Sequence, residues 1–299
     1  MRVLEEYKIC KANSEEWSRY HAIYRLSNFN EWMPMSFQGE LNRYNKLELC
    51  YWITKNNKKV GGALIKSNMI KCIFTIPPFK INEEIIKELI LYVSCICDMS
   101  EDIIIPDADL KSIECYEMIG FELQRVDKLM VCATDNYDII WDKQYSIVIP
   151  EEKYAQDMTK LYYETYRKNK LEYISTQSYE YQEQNVKSYF NHRETMNAPV
   201  EWSTLVYDST TNKLIGACIV SLVYELPYIL DFVVHPEYQR KGLATNMIKR
   251  TLDIVASNYP AIRLNVTVGN DAEQFYGKMG FVSLAEKAYV KLNKKRLVI

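Results

Sequence analysis

The sequence predicts two tandem mixed α/β domains, and three observations carry that expectation. With 299 residues and 48% hydrophobic content, the chain is long enough for two domains of ordinary size, each with its own core. Both halves run in the same order: strands, a helix, a further strand, a short helix and a closing strand. Three local similarities also join the halves in the same sequence order. KVGGALI (59–65) resembles KLIGACI (213–219), with Gly62 matched to Gly216 at a spacing of 154. FTIPPFKINEEIIKELILYV (74–93) resembles FVVHPEYQRKGLATNMIKRTL (232–252), with Phe74 on Phe232 and Pro78 on Pro236 at a spacing of 158. CYEMIGFE (115–122) resembles FYGKMGFV (275–282), with Tyr116, Gly120 and Phe121 on Tyr276, Gly280 and Phe281 at a spacing of 160. The spacing drifts without reversing, as expected of a duplicated fold, and places one domain at 1–138 and the second at 139–299.

In the first half, LCYWIT, VGGALI and MIKCIFTI are apolar runs rich in β-branched and aromatic residues and read as strands. The helix that follows places Ile85, Ile86, Leu89, Ile90 and Val93 on one face, the spacing of a 3.6-residue period. The second half opens with a short strand in KQYSIVIPEE, followed by a polar segment from Glu151 to about Phe190 with helical apolar spacing. Strands are expected at Trp202 to Tyr207, Leu214 to Tyr224 and Tyr228 to Val234, with DSTTN (208–212) as the turn between the first two. After Gly242 a helix presents Ala244, Met247, Ile248, Leu252 and Val255 on one side. AIRLNVTV is the next strand, then a short helix from Ala272 to Lys278 that stops at Gly280, then a closing strand.

Charge and composition exclude several functions. With 37 basic and 39 acidic residues the net charge is -2, so no overall electrostatic grip on nucleic acid or an anionic membrane is expected. The start, MRVLEEYKICK, alternates charged and apolar residues, and no run of about 18 apolar residues occurs, so a cytoplasmic protein is expected. The eight cysteines, at 10, 50, 72, 95, 97, 115, 132 and 218, mostly sit in apolar runs without a C-x-x-C pair, and read as small buried hydrophobes rather than metal ligands. The chain lacks both G-x-x-x-x-G-K-[ST] and G-x-G-x-x-G, which argues against a nucleotide triphosphatase or a dinucleotide-dependent dehydrogenase.

One stretch carries a specific chemical implication. In DFVVHPEYQRKGLATNMI (231–248) a buried strand breaks at His235-Pro236, crosses Arg240, Lys241 and Gly242, and continues as an amphipathic helix. The first N–H groups of a helix have no intrahelical partner and the peptide dipoles add positive charge there. With two cations, a glycine that permits close approach and the small Ala244, such a turn suits a pyrophosphate.

VVHPEYQRKGLAT resembles the Q/R-x-x-G-x-G/A motif of the GCN5-related N-acetyltransferases (GNATs), with Gln239, Gly242 and Ala244 in place. VTVGNDAEQFYGKMGF resembles the family's second block, with Ala272, Tyr276, Gly280 and Phe281 matching. The resemblance covers residues 143 to 295 and, through the repeat, weakly extends to the first half. It implies an α/β fold of two tandem GNAT-like acyl-CoA N-acyltransferase domains. It also implies acetyl-CoA as cosubstrate, no metal, and a primary amine of a small molecule or peptide as acceptor. The cofactor site then comprises the strand residues Phe232, Val233 and Val234, the turn Gln239, Arg240, Lys241, Gly242, Leu243, Ala244 and Thr245, and Asn270. Tyr276 matches the family's general acid. The strand positions where many members carry a glutamate base hold Leu230 and Asn265, so Asp231 is the candidate base, with Glu225, His235 or ordered water as other routes. Gly269 occupies the family asparagine's position and Asn270 lies one residue late. Tyr162, Tyr163, Tyr166 and Tyr173 are candidates to line the acceptor pocket. A non-catalytic acyl-CoA sensor and a mycothiol-synthase-like transferase are the alternative readings, and oligomeric state is left open.

In the first half, Ile81, Asn82, Glu83, Glu84 and Ile86 stand where Gln239, Arg240, Lys241, Gly242 and Ala244 stand in the second. Two carboxylates replace the glycine and its neighbouring cation, so the first domain is expected to bind no CoA.

Overall fold

The computed structural model describes residues 6–25, 37–96, 101–192, 198–223 and 225–293. Cys97, and Tyr224 at the expected end of a strand, lie outside the described residues. In chain order the elements are β1 (Tyr7–Lys11), α1 (Ser14–Tyr24), α2 (Phe37–Tyr44), β2 (Cys50–Lys55), β3 (Lys58–Lys66), β4 (Met69–Thr75), α3 (Glu83–Ile96), β5 (Ile103–Asp109), α4 (Ile113–Met118) and β6 (Glu122–Ala133). The second series is β7 (Tyr145–Val148), α5 (Ala155–Tyr166), α6 (Glu172–Ser175), α7 (Tyr179–His192), β8 (Thr204–Asp208), β9 (Lys213–Val223), β10 (Leu226–Val234), α8 (Leu243–Ala256), β11 (Ala261–Thr267), α9 (Asp271–Lys278) and β12 (Val282–Leu292).

These elements form two compact units, residues 1–128 with 284–299, and residues 129–283. That division differs from the linear boundary expected after residue 138, because the closing strands are exchanged. Most of β12, the last strand of the second series, pairs antiparallel with β5 from Lys287↔Asp109 to Leu292↔Ile103. The end of β6, from Leu129 onward, belongs instead to the second unit. Thr134 donates its N–H to the Pro260 carbonyl there.

In the first unit the strand order is β1-β2-β3-β4-β5-β12. Alternation along β2 sends Tyr51 and Ile53 to a core shared with Ile85, Ile86, Leu89, Ile90 and Val93 of α3, the face expected from their spacing. Cys50 and Trp52 point the other way, to Trp17 of α1 and Tyr44 of α2.

In the second unit the order from β11 outward is β11-β10-β9-β8-β7. Ile215, Cys218 and Val220 of β9 pack with Met247, Ile248, Leu252 and Val255 of α8. Leu214, Ala217 and Ile219 face Met158, Leu161 and Tyr162 of α5 and Val186 of α7. The DSTTN turn forms as expected, with Asp208 Oδ1 accepting from Thr210 N at 2.8 Å.

Backbone pairing refines the repeat. Ile76 N donates to Val60 O and His235 N donates to Ile215 O, so Val60 corresponds to Ile215 and Gly61, rather than Gly62, to Gly216. Accordingly a Cβ at Gly62 would meet Trp17 of α1, whereas one at Gly216 would lie 2.9 Å from Met247 Sδ of α8. The third match holds in register. Phe121 N bonds to Tyr116 O and Phe281 N to Tyr276 O, and Gly120 and Gly280 both take positive φ.

Candidate functional site

The site begins as a defect in a sheet. Ile229 of β10 faces Val220 of β9 and Asp231 faces Ile219, so Leu230 is an extra residue, a β-bulge. On its other side β10 runs parallel to β11 with register only at Tyr228↔Arg263 and Ile229↔Leu264. Beyond the bulge the ladder stops, and among the described residues no ladder partner is registered on the β11-facing edge of β10 from Asp231 to Val234. An unpaired edge of this kind accepts an extended ligand through main-chain hydrogen bonds.

At the end of β10 the chain enters the turn before α8. His235 caps Pro236–Tyr238 through Nδ1, which accepts from Glu237 N at 3.3 Å. Arg240 has φ 60° and Gly242 φ 83°, both left-handed. The first helical bond runs from Asn246 N to Gly242 O, so the N–H groups of Leu243, Ala244 and Thr245 precede the intrahelical ladder.

A cleft of about 910 Å³ lies here, lined by Phe232, Val233, Val234, Gln239, Arg240, Ala244 and Asn270 among the residues expected to hold a cofactor. The other four lie outside its lining. The Leu243 side chain is core, 2% exposed, and Lys241 extends over the Tyr238 ring with Nζ 4.8 Å from its centroid. Gly242 has only its backbone to offer a ligand. Three cations that sequence reasoning missed, Lys168, Lys170 and Lys278, are also in the lining, and Asp271 is its carboxylate, paired to Lys170 at 2.8 Å. Asn270 Oδ1 caps α9 by accepting from Ala272 N at 3.0 Å.

Asp231 and Tyr276 are brought together on the wall of a second cavity, of about 300 Å³, which shares Tyr166, Phe232, Asn270 and Ala272 with the cleft. The Tyr166 hydroxyl, at the end of α5, donates to Asp231 Oδ1 at 2.6 Å. Burial pushes the Asp231 carboxyl up to about 6, against the opposing effect of this bond. Burial likewise raises the Tyr276 phenol far above its usual value, aided by Cys218 and Asp231 nearby, so it stays protonated. Its ring packs edge-on against Phe232, centroids 6.0 Å apart. Leu230 and Asn265 line the same cavity without supplying a base.

The other base candidates are placed elsewhere. Glu225, with φ 64°, is exposed on the turn between β9 and β10. His235 Nε2 is engaged by Lys213 Nζ at 2.8 Å and Glu164 Oε2 at 3.2 Å, and neither His235 nor Glu225 lines the cleft or the cavity. Of the four acceptor-side tyrosines, Tyr166 and Tyr173 line the 300 Å³ cavity. Tyr162 lies deeper, and Tyr163 packs against Tyr179. Tyr173 also hydrogen-bonds Thr267 of β11.

The first unit handles the same positions differently. Its strands β4 and β5 are registered only at Met69↔Ile104, and Cys72 of β4 has φ 53°. The gap is filled by side chains. Arg25, 7% exposed, donates to Ile73 O at 2.8 Å and to Asp107 Oδ2 at 2.7 Å, while the Asp107 carboxylate accepts from Cys72 N at 3.1 Å. At the start of α3, Asn82 Oδ1 accepts from Ile85 N at 3.0 Å, and Glu83 and Glu84 occupy the first turn. Tyr116, matching Tyr276, is 1% exposed.

Among the described residues no helix is long and apolar enough to cross a membrane, and no group of three or more His, Cys, Asp or Glu side chains is placed to hold a metal.

Residues 169–292 match the family model described as an acetyltransferase (GNAT) domain. No curated protein matches the chain in sequence. Among solved structures it is similar to a GCN5-related N-acetyltransferase from Sphaerobacter thermophilus, TM-score 0.71 at 10% identity over 96% of each chain. It is also similar to a tandem GNAT protein from the clavulanic acid biosynthesis pathway, TM-score 0.63 at 13% identity over 97% of this chain and 98% of that one. A third is a GNAT-family acetyltransferase from Colwellia psychrerythraea, TM-score 0.56 at 14% identity over 96% and 98%. At these identities the structures show the shared fold.

Proposed function

Because residues 169–292 belong to the acetyltransferase (GNAT) domain family, we propose that the second unit transfers an acetyl group from acetyl-CoA to a primary amine by direct attack. The observation that carries this reading is the open edge of β10. It runs from a cavity walled by Asp231 and Tyr276 to the N-terminus of α8, through a cleft lined by Arg240 and three lysines.

The residues present fit acetyl-CoA. Arg240 and the N–H groups of Leu243, Ala244 and Thr245 suit the pyrophosphate, and the unpaired edge of Phe232 to Val234 suits the amide-bearing arm. When bound, acetyl-CoA supplies an acetyl thioester, so the new N–C bond forms as the C–S bond breaks. Asp231 takes one proton from the incoming ammonium and passes it to solvent, leaving a nucleophilic amine. Its raised affinity for protons brings it closer to that task than an ordinary aspartate. Tyr276, held protonated, gives a proton to the departing sulfur, and the second proton lost by nitrogen on forming the amide restores it. Tyr166 fixes the Asp231 carboxylate through its hydrogen bond and is a positioning residue.

We assign a structural role to the first unit, whose strand gap is closed by Arg25 and Asp107 and whose helix N-terminus carries Glu83 and Glu84. Calorimetric titration with acetyl-CoA, paired with an assay for released CoA over a panel of amines, tests the whole reading. One site per chain and amine-dependent CoA release are expected. Absence of acetyl-CoA binding sinks the proposal.

A further inference from the structure

Behind Asp231 lies a separate cavity of about 350 Å³, lined by Met158 and Tyr162 of α5, Asn185, Val186, Ser188 and Tyr189 of α7, Ile219 of β9, and Leu230 and Asp231 of β10. It meets the 300 Å³ cavity only at Asn185, Leu230 and Asp231. The first cavity shares four residues with the cofactor cleft, so its volume belongs to the reacting end of the thioester. The cavity behind Asp231 is then left for the body of the acceptor.

Its chemistry is selective. Among the described residues, no Lys, Arg or His lines either cavity, and Asp231 is their one charged side chain. Asp231 Oδ1 is held by Tyr166, and no ion pair to Asp231 forms among the described residues. Among the described residues the Tyr162 hydroxyl, on a side chain 2% exposed, has no hydrogen-bond partner, and Asp231 is the charge that acts on it most strongly. An unpaired carboxylate beside an unsatisfied hydroxyl suits an ammonium, which donates to both. The remaining wall combines Met158, Val186, Ile219, Leu230 and the Tyr162 and Tyr189 rings with the neutral polar groups of Asn185 and Ser188, and offers no charged partner for a second charge.

We propose that the acceptor is a small primary monoamine with an apolar or aromatic body, carrying neither a carboxylate nor a phosphate nor a second ammonium. This rests on the acetyltransferase reading. An α-amino acid would bring its own carboxylate beside Asp231 with no cation to meet it. A diamine would bury its second charge in a cavity that has no second carboxylate to pair it.

The test is steady-state acetylation of phenethylamine and hexylamine against glycine, phenylalanine and putrescine, on the full chain. A ratio of kcat/KM of at least tenfold in favour of the two monoamines is expected. Ser188→Trp, placed at an exposed α7 position on the cavity wall, should raise KM for phenethylamine at least tenfold while the Kd for acetyl-CoA stays unchanged. Equal or better turnover of phenylalanine or putrescine overturns the proposal, as does an unaltered KM in Ser188→Trp. Acetyl-CoA binding without acetylation of either monoamine also overturns it, while leaving the cofactor site standing. Failure to bind acetyl-CoA defeats the underlying function instead.

Discussion

In the proposed reaction Asp231 is the base that takes the ammonium proton. A carboxyl pushed up to about 6 is protonated below that value and cannot accept a proton from an ammonium, so kcat/KM should rise with pH through about 6. Asp231→Asn should remove that limb and lower kcat by roughly 10²-fold or more. Tyr166→Phe removes the bond that favours the charged form, so the limb should move to higher pH with a smaller loss in kcat. A profile unchanged in both variants would exclude Asp231 as the base. Gly242 can be argued equally locally. Its φ of 83° is costly for any side chain, and a carboxylate there would face the place proposed for the pyrophosphate. Gly242→Glu should weaken acetyl-CoA binding at least about tenfold by calorimetry.

At the scale of elements, the two units show how packing outranks local similarity. The match of KVGGALI to KLIGACI is visible in the letters, yet hydrogen bonding sets Gly216 against Gly61. Gly216 is required because Met247 of α8 approaches to within 2.9 Å of where its Cβ would stand. Gly216→Val should destabilise the second unit by about 1–3 kcal/mol, read from its denaturant midpoint. The closing strand offers a sharper test. Since β12 pairs with β5, deleting residues 284–299 should strip hydrogen-exchange protection from Ile103 and Ile105 of the first unit. Loss confined to β11 would argue against the exchange of closing strands.

Across the whole molecule, duplication has left one copy with an open strand gap and the other with a filled one. Arg25 and Asp107 satisfy in the first unit the backbone groups that a ligand would satisfy in the second. Removing one partner leaves a buried charge uncompensated, so Arg25→Met should cost about 3–5 kcal/mol of first-unit stability. Calorimetry should give one acetyl-CoA per chain, and Glu84→Gly should not create a second site. Two sites in the unaltered chain would contradict the structural role assigned to the first unit.

The sequence by itself determined the tandem α/β plan, the turn from Gln239 to Thr245 and the pairing of Tyr276 with Gly280 and Phe281. Each of these is written in short-range patterns, in which a period, a glycine or a cation sits a fixed number of residues from its neighbours. Only the tertiary structure decided the rest. The bulge at Leu230, the Tyr166 bond to Asp231 across 65 residues, the lysines of the cleft and the Arg25–Asp107 plug all depend on contacts between distant segments. So does the exchange of β6 and β12. Nothing in a strand's own residues names its neighbour in the sheet; that choice is made by which surfaces are buried together.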